Sequence, residues 1–283
     1  MVVATEYKTN LKPIWCPGCG DFGVLSSLAQ AFAQLEIPRK DIALVTGIGC
    51  SSRLAGYLNV YGFNAIHGRT LPIATGIKLA NPNLTVIAAG GDGDAFAIGM
   101  GHIPHAARRN IDITYLVMDN GIYGLTKGQE SPTSPLGIYS STTPYGTYER
   151  PLNPLEMLLS FNASFVAQAF SGDTKHLVKI IIEAIKHRGF AFINCISPCP
   201  TYRGGMQIFK EVRAQIRNLD EEDRDLTDKD EAYKIARATD YIPVGIIYRD
   251  QAEDYQSILS RLRMKVPSEP EEKVEELIKH FIA

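Results

Sequence analysis

Two acids lie among three glycines at Gly90-Gly91-Asp92-Gly93-Asp94. Glycines let the backbone approach a ligand closely. Carboxylates beside them suit a hard cation such as Mg²⁺, which takes oxygen ligands and often bridges to substrate phosphates. Asp94 also stands where a helix could open, and a helix N-terminus favours phosphate. A second stretch, Asp119-Asn120-Gly121-Ile122-Tyr123-Gly124, adds a carboxylate and an amide oxygen. Asp, Asn and Gly are also turn formers, so either stretch alone reads as a turn. Taken together, Asp92 and Asn120 converge on one ion if the strands before them are neighbours.

The cysteines form a second group. Cys16-Pro17-Gly18-Cys19 is a CxxC, Cys50 follows Gly47-Ile48-Gly49, and Cys199 stands between Pro198 and Pro200. Four thiolates at loops suit either Zn²⁺ or a [4Fe–4S] cluster, and spacing does not choose between them. A thioredoxin-type redox CxxC is disfavoured because no strand precedes Cys16. Cys195 lies inside the apolar run 190–196, where a free Cys reads as core. Cys199 is therefore the better fourth ligand.

Other polar residues have two readings each. Arg53 could hold a substrate carboxylate through its guanidinium fork or be an ordinary surface Arg, and Lys127 divides in the same way. His67, before Gly68-Arg69, is either a structural group or a cofactor neighbour. His102 and His105 lie three apart with no third ligand, and read as core or cap.

The elements that must position these residues alternate. Helical spacing of apolar residues spans 23–36, 71–80 and 173–186, the last opened by Asp173 as a cap. Residues 95–109 read as a helix weakened by Gly99, Gly101 and Pro104. Apolar runs at 42–46, 84–89, 113–118, 165–170 and 190–196 read as buried strands. Strands alternating with helices, without polar alternation, imply a parallel sheet covered on both faces. Ligands bind at the carboxyl ends of such strands, and the loops at 47–53, 90–94, 119–125 and 197–203 all follow strands. Residues 120–150 form a long loop, expected to act as a lid or partner-facing surface. Its Tyr139, Tyr145 and Tyr148 are expected to face a partner subunit, because Tyr is enriched at interfaces.

The 283 residues carry 29 Lys plus Arg against 31 Asp plus Glu, for a net charge of -2. No basic excess exists to neutralise phosphates, so nucleic acid is an unexpected partner. No uncharged apolar run approaches the ~18–20 residues needed to cross a bilayer. No secretory signal is visible, and the expected compartment is the cytoplasm. Charge is uneven: residues 1–202 hold 28 charged residues and residues 203–283 hold 32. The first segment reads as the buried ligand-binding domain. The second reads as a charged helical C-terminal extension packing on the core or on a partner.

Gly91-Asp92-Gly93 followed by Asp119-Asn120 resembles the thiamine diphosphate motif, which opens with GDG and closes with Asn. Asp119 stands where the usual pattern has another Asn. The resemblance implies Mg²⁺ held by Asp92, Asn120 and the carbonyl of Ile122. It implies diphosphate contacts from Gly93, Asp94, Gly124 and Leu125. With Trp15-Cys16-Pro17-Gly18-Cys19-Gly20, Gly47-Ile48-Gly49-Cys50-Ser51, His67-Gly68-Arg69, the loop 121–129 and Ser197-Pro198-Cys199 in order, the chain resembles the β subunit of two-subunit 2-oxoacid:ferredoxin oxidoreductases. The match spans residues 12–203, and Ile242-Pro243-Val244-Gly245-Ile246 is similar to a further family segment.

The resemblance implies an α/β thiamine diphosphate-binding fold with one [4Fe–4S] cluster on Cys16, Cys19, Cys50 and Cys199. Ile48, Gly49, Cys50, Ser51 and His67 would lie near the cofactor. It implies oxidative decarboxylation of a 2-oxoacid, of pyruvate or 2-oxoglutarate type, to acyl-CoA and CO₂. Coenzyme A would be co-substrate and ferredoxin the electron acceptor. A carboxylate for the aminopyrimidine ring is missing from the cofactor motifs of this chain, since Glu6 and Glu36 lie outside the strand-end loops. In the family that group comes from the α, or fused α–γ, subunit. The chain is therefore expected to be inactive alone. A non-oxidative thiamine enzyme would have no use for the four cysteines, and a zinc-binding interaction subunit none for the Mg²⁺ pair.

Overall fold

The apolar runs become a sheet whose central strands are buried except at their ends. The computed structural model describes residues 3–140, 142–264 and 278–279. In chain order the elements are α1 (Asp21–Gln34), β1 (Ile42–Thr46), α2 (Leu54–Tyr57), β2 (Tyr61–Asn64), α3 (Thr70–Ala80), β3 (Thr85–Gly91), α4 (Ile103–Arg109), β4 (Ile113–Asp119), α5 (Pro154–Ser160) and β5 (Phe165–Phe170). They continue with α6 (Thr174–Lys186), β6 (Phe190–Ile196), α7 (Gln207–Gln215), β7 (Ile216–Asn218), α8 (Lys229–Ala236), β8 (Ile242–Arg249) and α9 (Tyr255–Arg263).

Eight strands are ordered β2-β1-β3-β4-β6-β5-β8-β7. The pairings are parallel except that of β5 with β8. The expected mainly parallel sheet with helices on both faces is the observed one. Alternate strand residues feed two cores. Val45, Ala88, Val117 and Phe192 pack under α3, α4, α5 and α8. Leu44, Ile87, Leu116 and Ile193 pack under α1 and α6. Each fully buried Leu, Ile or Phe contributes about 1.5–3 kcal/mol, so the centre of the sheet is the rigid part of the molecule.

Three differences from the pattern expected of the sequence have physical causes. Strand β2 was hidden because Tyr61-Gly62-Phe63-Asn64 is a short exposed edge with no buried face. The helix expected over 95–109 begins as a widened π turn at Asp94–Ile98, and becomes regular only at α4, where Pro104 sits in the first turn. Gly99 leaves room that Ala could not, because a Cβ there would lie 2.4 Å from the Asp94 carbonyl oxygen. Beyond residue 203 the chain is helical in α7, α8 and α9 but also contributes β7 and β8, and β8 runs antiparallel beside β5. Residues 265–277 and 280–283 of the expected extension lie outside the described residues.

Register decides what meets at the sheet's carboxyl edge. Thr46 pairs with Ala89, Gly91 with Met118, and Asp119 with Ile196. The loops after β1, β3, β4 and β6 therefore emerge side by side.

Candidate active site

A cleft opens at this edge. It is lined by Ile48, Gly49, Cys50 and Ser51 after β1, and by His67 before α3. Gly91 to Asp94, Asn120, and the segment from Ile122 to Thr126 complete its wall, together with Asp21 and Met118. Every residue expected beside the cofactor or its metal thus lines one cleft. Arg53 does not: it is exposed, three positions past Cys50. Lys127 is also exposed and takes a left-handed φ of 77° in a tight turn. Tyr123 N donates to Gln129 O (2.9 Å) and Gly128 N to Tyr123 O (2.8 Å), closing that turn over the cleft.

Asp92 and Asn120 are neighbours through the backbone: Asn120 N donates to Asp92 Oδ1 at 3.5 Å, while Asn120 Oδ1 accepts from Ile122 N at 2.9 Å in a turn of its own. The surroundings come from an unexpected place, the start of the long loop. Ser131 Oγ donates to Asp92 Oδ2, and Thr133 Oγ1 lies 2.9 Å from Asp92 Oδ2 and 2.7 Å from Asp119 Oδ1. One hydroxyl hydrogen can serve only one of these two carboxylates. Burial pushes the Asp92 carboxyl up, and burial followed by the Asp92 charge does the same to Asp119. The nearby Arg203 guanidinium donates instead to the carbonyls of Asn120 (3.4 Å) and Gly121 (3.2 Å). A buried acid, Asp92, beside the half-buried Asp119 and without a direct cationic partner is a place for a cation. Among the described residues no three His, Cys, Asp or Glu side chains close on a single ion. Mg²⁺ does not require that, since it usually keeps waters and completes its shell with phosphate oxygens.

Asp94 has a different part from its neighbour. Its Oδ1 accepts from Ile48 N (3.0 Å), Gly68 N (2.8 Å) and His67 Nδ1 (2.6 Å), and Oδ2 accepts from Thr70 Oγ1 (3.2 Å). The side chain is committed to bracing two loops, which leaves the backbone at 93–94 to face the cleft. Gly47 makes this possible, because a Cβ there would fall 1.9 Å from the Asp94 carboxylate.

Three segments carry the thiols. Trp15 Nε1 donates to the Cys50 carbonyl (2.8 Å), and Gly20 N donates to the Pro198 carbonyl (3.2 Å). The CxxC segment is thus tied to the Cys50 turn at one end and to the Cys199 loop at the other. A Cβ on Gly124 would lie 3.6 Å from Cys50 Sγ and 3.8 Å from Cys199 Sγ, so both sulfurs rest against the backbone of the cleft wall. Burial pushes the Cys50 thiol up to about 12, with further raising from Asp21 and from the neighbouring Cys199 and Cys16. Cys195 is fully buried in β6.

Residues 47–195 match the family profile described as the C-terminal TPP-binding domain of thiamine pyrophosphate enzymes. Residues 199–264 match the profile for the C-terminal part of pyruvate ferredoxin oxidoreductase β subunits. The β subunit of 2-oxoacid:ferredoxin oxidoreductase 2 from Aeropyrum pernix is 39% identical over 94% of this chain and 89% of its own. The chain belongs to the 2-oxoacid:ferredoxin oxidoreductase β subunits. A 2-oxoglutarate synthase subunit KorB of Methanothermobacter thermautotrophicus is 47% identical over 70% of this chain and 69% of its own. A solved 2-oxoglutarate:ferredoxin oxidoreductase from Magnetococcus marinus, with 2-oxoglutarate, coenzyme A and succinyl-CoA bound, superposes with a TM-score of 0.93. It is 40% identical and covers 98% of this chain and 96% of that one.

As a β subunit of this family, the chain is part of an oxidoreductase built with an α subunit. No helix among the described residues is long and apolar enough to cross a membrane. The site residues that motif reading passed over are Asp21, Ser131, Thr133 and Arg203. Asp21 follows the CxxC-Gly directly, which was a usable signal. Ser131, Thr133 and Arg203 had none, because only folding brings them back to the Asp92 loop.

Proposed function

We propose that this chain, paired with its α subunit, carries out the coenzyme A-dependent oxidative decarboxylation of a 2-oxoacid to acyl-CoA and CO₂, with electrons passing through one [4Fe–4S] cluster to ferredoxin. The observation that carries the reading is the position of Cys50 in the same cleft wall as Asp92, Asn120 and Gly93. It puts a thiolate of the proposed cluster beside the proposed diphosphate site. Thiamine diphosphate, when bound, supplies the electron sink for loss of CO₂, and the cluster accepts the electrons singly.

This chain's own residues have the following parts in that reading. Asp92, Asn120 and the Ile122 carbonyl hold Mg²⁺, and the paired acids Asp92 and Asp119 supply the charge that attracts it. Gly93, the backbone of Asp94, Gly124 and Leu125 face the diphosphate. Ile48, Gly49, Ser51 and His67 line the cofactor's flank. Cys16, Cys19, Cys50 and Cys199 hold the cluster. Those four sit on three segments tied to one another, with Cys50 Sγ and Cys199 Sγ both beside Gly124. Four thiolates suit a [4Fe–4S] cluster or zinc, and it is the redox reaction proposed for this chain that calls for the cluster. Arg53, on the exposed side of the Cys50 turn, would reach a substrate carboxylate from the partner's side. The 2-oxoglutarate named for relatives makes a 2-oxo dicarboxylic acid the first substrate to try, with pyruvate second. A reducing compartment, the cytoplasm, suits five free thiols.

The test is anaerobic purification with the α subunit, followed by iron, sulfide and zinc analysis and a visible spectrum. About four iron and four sulfide per chain, with bleaching on addition of a 2-oxoacid and coenzyme A, is the expected result. Stoichiometric zinc and no visible band would overturn it.

A further inference from the structure

We propose that the surface over the CxxC segment is the docking site of the electron acceptor, an acidic carrier protein of the ferredoxin kind. Leu11, Ile14 and Met206 form its centre, and Lys12 and Lys210 its rim. This deepens the function proposed above and rests on its four-cysteine cluster.

The cysteines are graded by depth. Cys199 is buried, Cys19 and Cys50 are half-buried, and Cys16 is exposed. A cluster held by these four comes nearest to solvent at Cys16. Electron tunnelling falls steeply with distance, so a carrier must approach from that side. Cys16 does not line the cofactor cleft, and neither do Lys12, Ile14 or Met206. A carrier seated here leaves the cleft mouth to the α subunit.

Three apolar side chains stand out around Cys16. Leu11 is 62% exposed, Ile14 67% and Met206 57%. The chain that carries the first two is anchored. Thr9 N donates to Tyr57 O (2.9 Å), Ile14 N donates to Tyr57 Oη (3.0 Å), and Trp15 is buried with its ring edge-on to that of Tyr57. Met206 lies against the CxxC turn, where a Cβ on Gly18 would fall 2.5 Å from its Sδ. Apolar side chains held out on a fixed backbone mark a contact surface.

Charge selects the partner. The chain as a whole carries -2, yet no Asp or Glu occurs between Glu6 and Asp21, between Asp41 and Asp92, or between Glu183 and Glu211. Those three stretches hold all five cysteines. The first contains Lys8 and Lys12, and the last ends in Lys210, one helical turn beyond Met206 on α7. Of the bounding acids, Asp21 is buried, and Glu211 sits round the helix from Lys210. A cationic surface on an acidic protein attracts and steers an anionic partner. A second copy of this chain fits poorly, because a two-fold interface would bring the same cations together. A small apolar contact with a charged rim suits a transient redox encounter, which buries less than about 1,200 Å². Each encounter moves one electron: the carrier is reduced, the cluster is re-oxidised, and no proton or bond changes hands.

The test uses the assembled α–β enzyme with a 2-oxoacid and coenzyme A, and an acidic ferredoxin as acceptor. Lys12→Glu and Lys210→Glu should each lower the second-order rate of ferredoxin reduction about tenfold at low salt by slowing association, and the gap should close at high salt. Ile14→Ala should slow the same reaction at every salt concentration. Reduction of a small viologen dye, which needs no docking surface, should keep its wild-type rate in all three variants. Lys186→Glu makes an equal charge change at an exposed position before β6, at the opposite edge of the sheet, and should behave as wild type. An equal loss in Lys186→Glu would reduce the effect to net charge and overturn the site, as would unchanged ferredoxin reduction in the three variants. Loss of the α subunit from Lys12→Glu on gel filtration would give the surface to that subunit and overturn the site as well. A wild-type enzyme without iron, or one that reduces dye but no ferredoxin, would overturn the functional reading itself, and this site with it.

Discussion

His67 Nδ1 lies 2.6 Å from Asp94 Oδ1, in a carboxylate that also takes the backbone N–H groups of Ile48 and Gly68. The acid of the cofactor loop thus braces the loops after β1 and before α3, and the cleft wall is one hydrogen-bonded unit. Asp94→Ala strips four donors of their acceptor; two of them, Gly68 N and Thr70 Oγ1, are buried, each costing about 1–3 kcal/mol when left unpaired. The variant should melt several degrees lower and lose thiamine diphosphate binding. His67→Gln removes one donor and should melt within a few degrees of wild type. Calorimetry on both variants checks the contrast.

The two cysteines four residues apart separate cleanly. Cys195 is buried in β6 and outside the proposed ligand set, whereas Cys199 sits in the loop tied to the CxxC segment. Cys195→Ala should keep its full iron and sulfide and lose about 1 kcal/mol of stability, the cost of a small core deletion. Cys199→Ala should lose the intact cluster. Iron analysis after anaerobic purification decides.

Two glycines should respond in opposite ways. A Cβ on Gly93 would fall 2.2 Å from the Tyr123 ring, whose hydroxyl donates to the Gly93 carbonyl at 3.3 Å. Gly93→Ala must therefore displace the turn over the cleft, and cofactor affinity should drop. A Cβ on Gly124 meets only the two sulfurs at ordinary distances. Gly124→Ala should fold and melt as wild type but take up less iron.

Stability should fall with acid through His187. Burial, followed by the nearby Arg249, pushes its imidazole down to about 4, and its Nε2 lies 2.7 Å from Ser164 Oγ. The unfolded chain binds this proton near the ordinary value of about 6.5, earlier than the native chain. The neutral form's contribution is thus complete above about pH 6.5 and is lost as pH falls through about 4. His187→Gln should show a shallower decline across that window in urea unfolding at successive pH values.

Tyr145 and Tyr148 are 95% and 81% exposed on the long loop. Exchanging either for Asp should leave the chain's own melting nearly unchanged, within about 0.5 kcal/mol. Association with the α subunit should weaken if that loop faces it. Gel filtration of the mixed subunits checks both halves.

The strands and main helices of the core were legible because their signals are local: buried β-branched runs, helical spacing, and Asp173, whose carboxylate accepts from His176 N (3.1 Å) as a cap should. The Asp92, Asn120 and Cys50 loops were legible because chemistry-bearing residues cluster at strand ends. Local pattern therefore yields the fold class, the family and the cleft's inner wall. Strand β2 and the antiparallel β8 escaped it, since an exposed four-residue edge has no burial period and an added strand draws its pairing from a distant neighbour. Folding in three dimensions made Asp94 brace the loops rather than present its carboxylate. It also returned Ser131 and Thr133 to Asp92. Hydrogen bonds between residues tens of positions apart depend on where whole elements settle, and no local pattern of side chains encodes that.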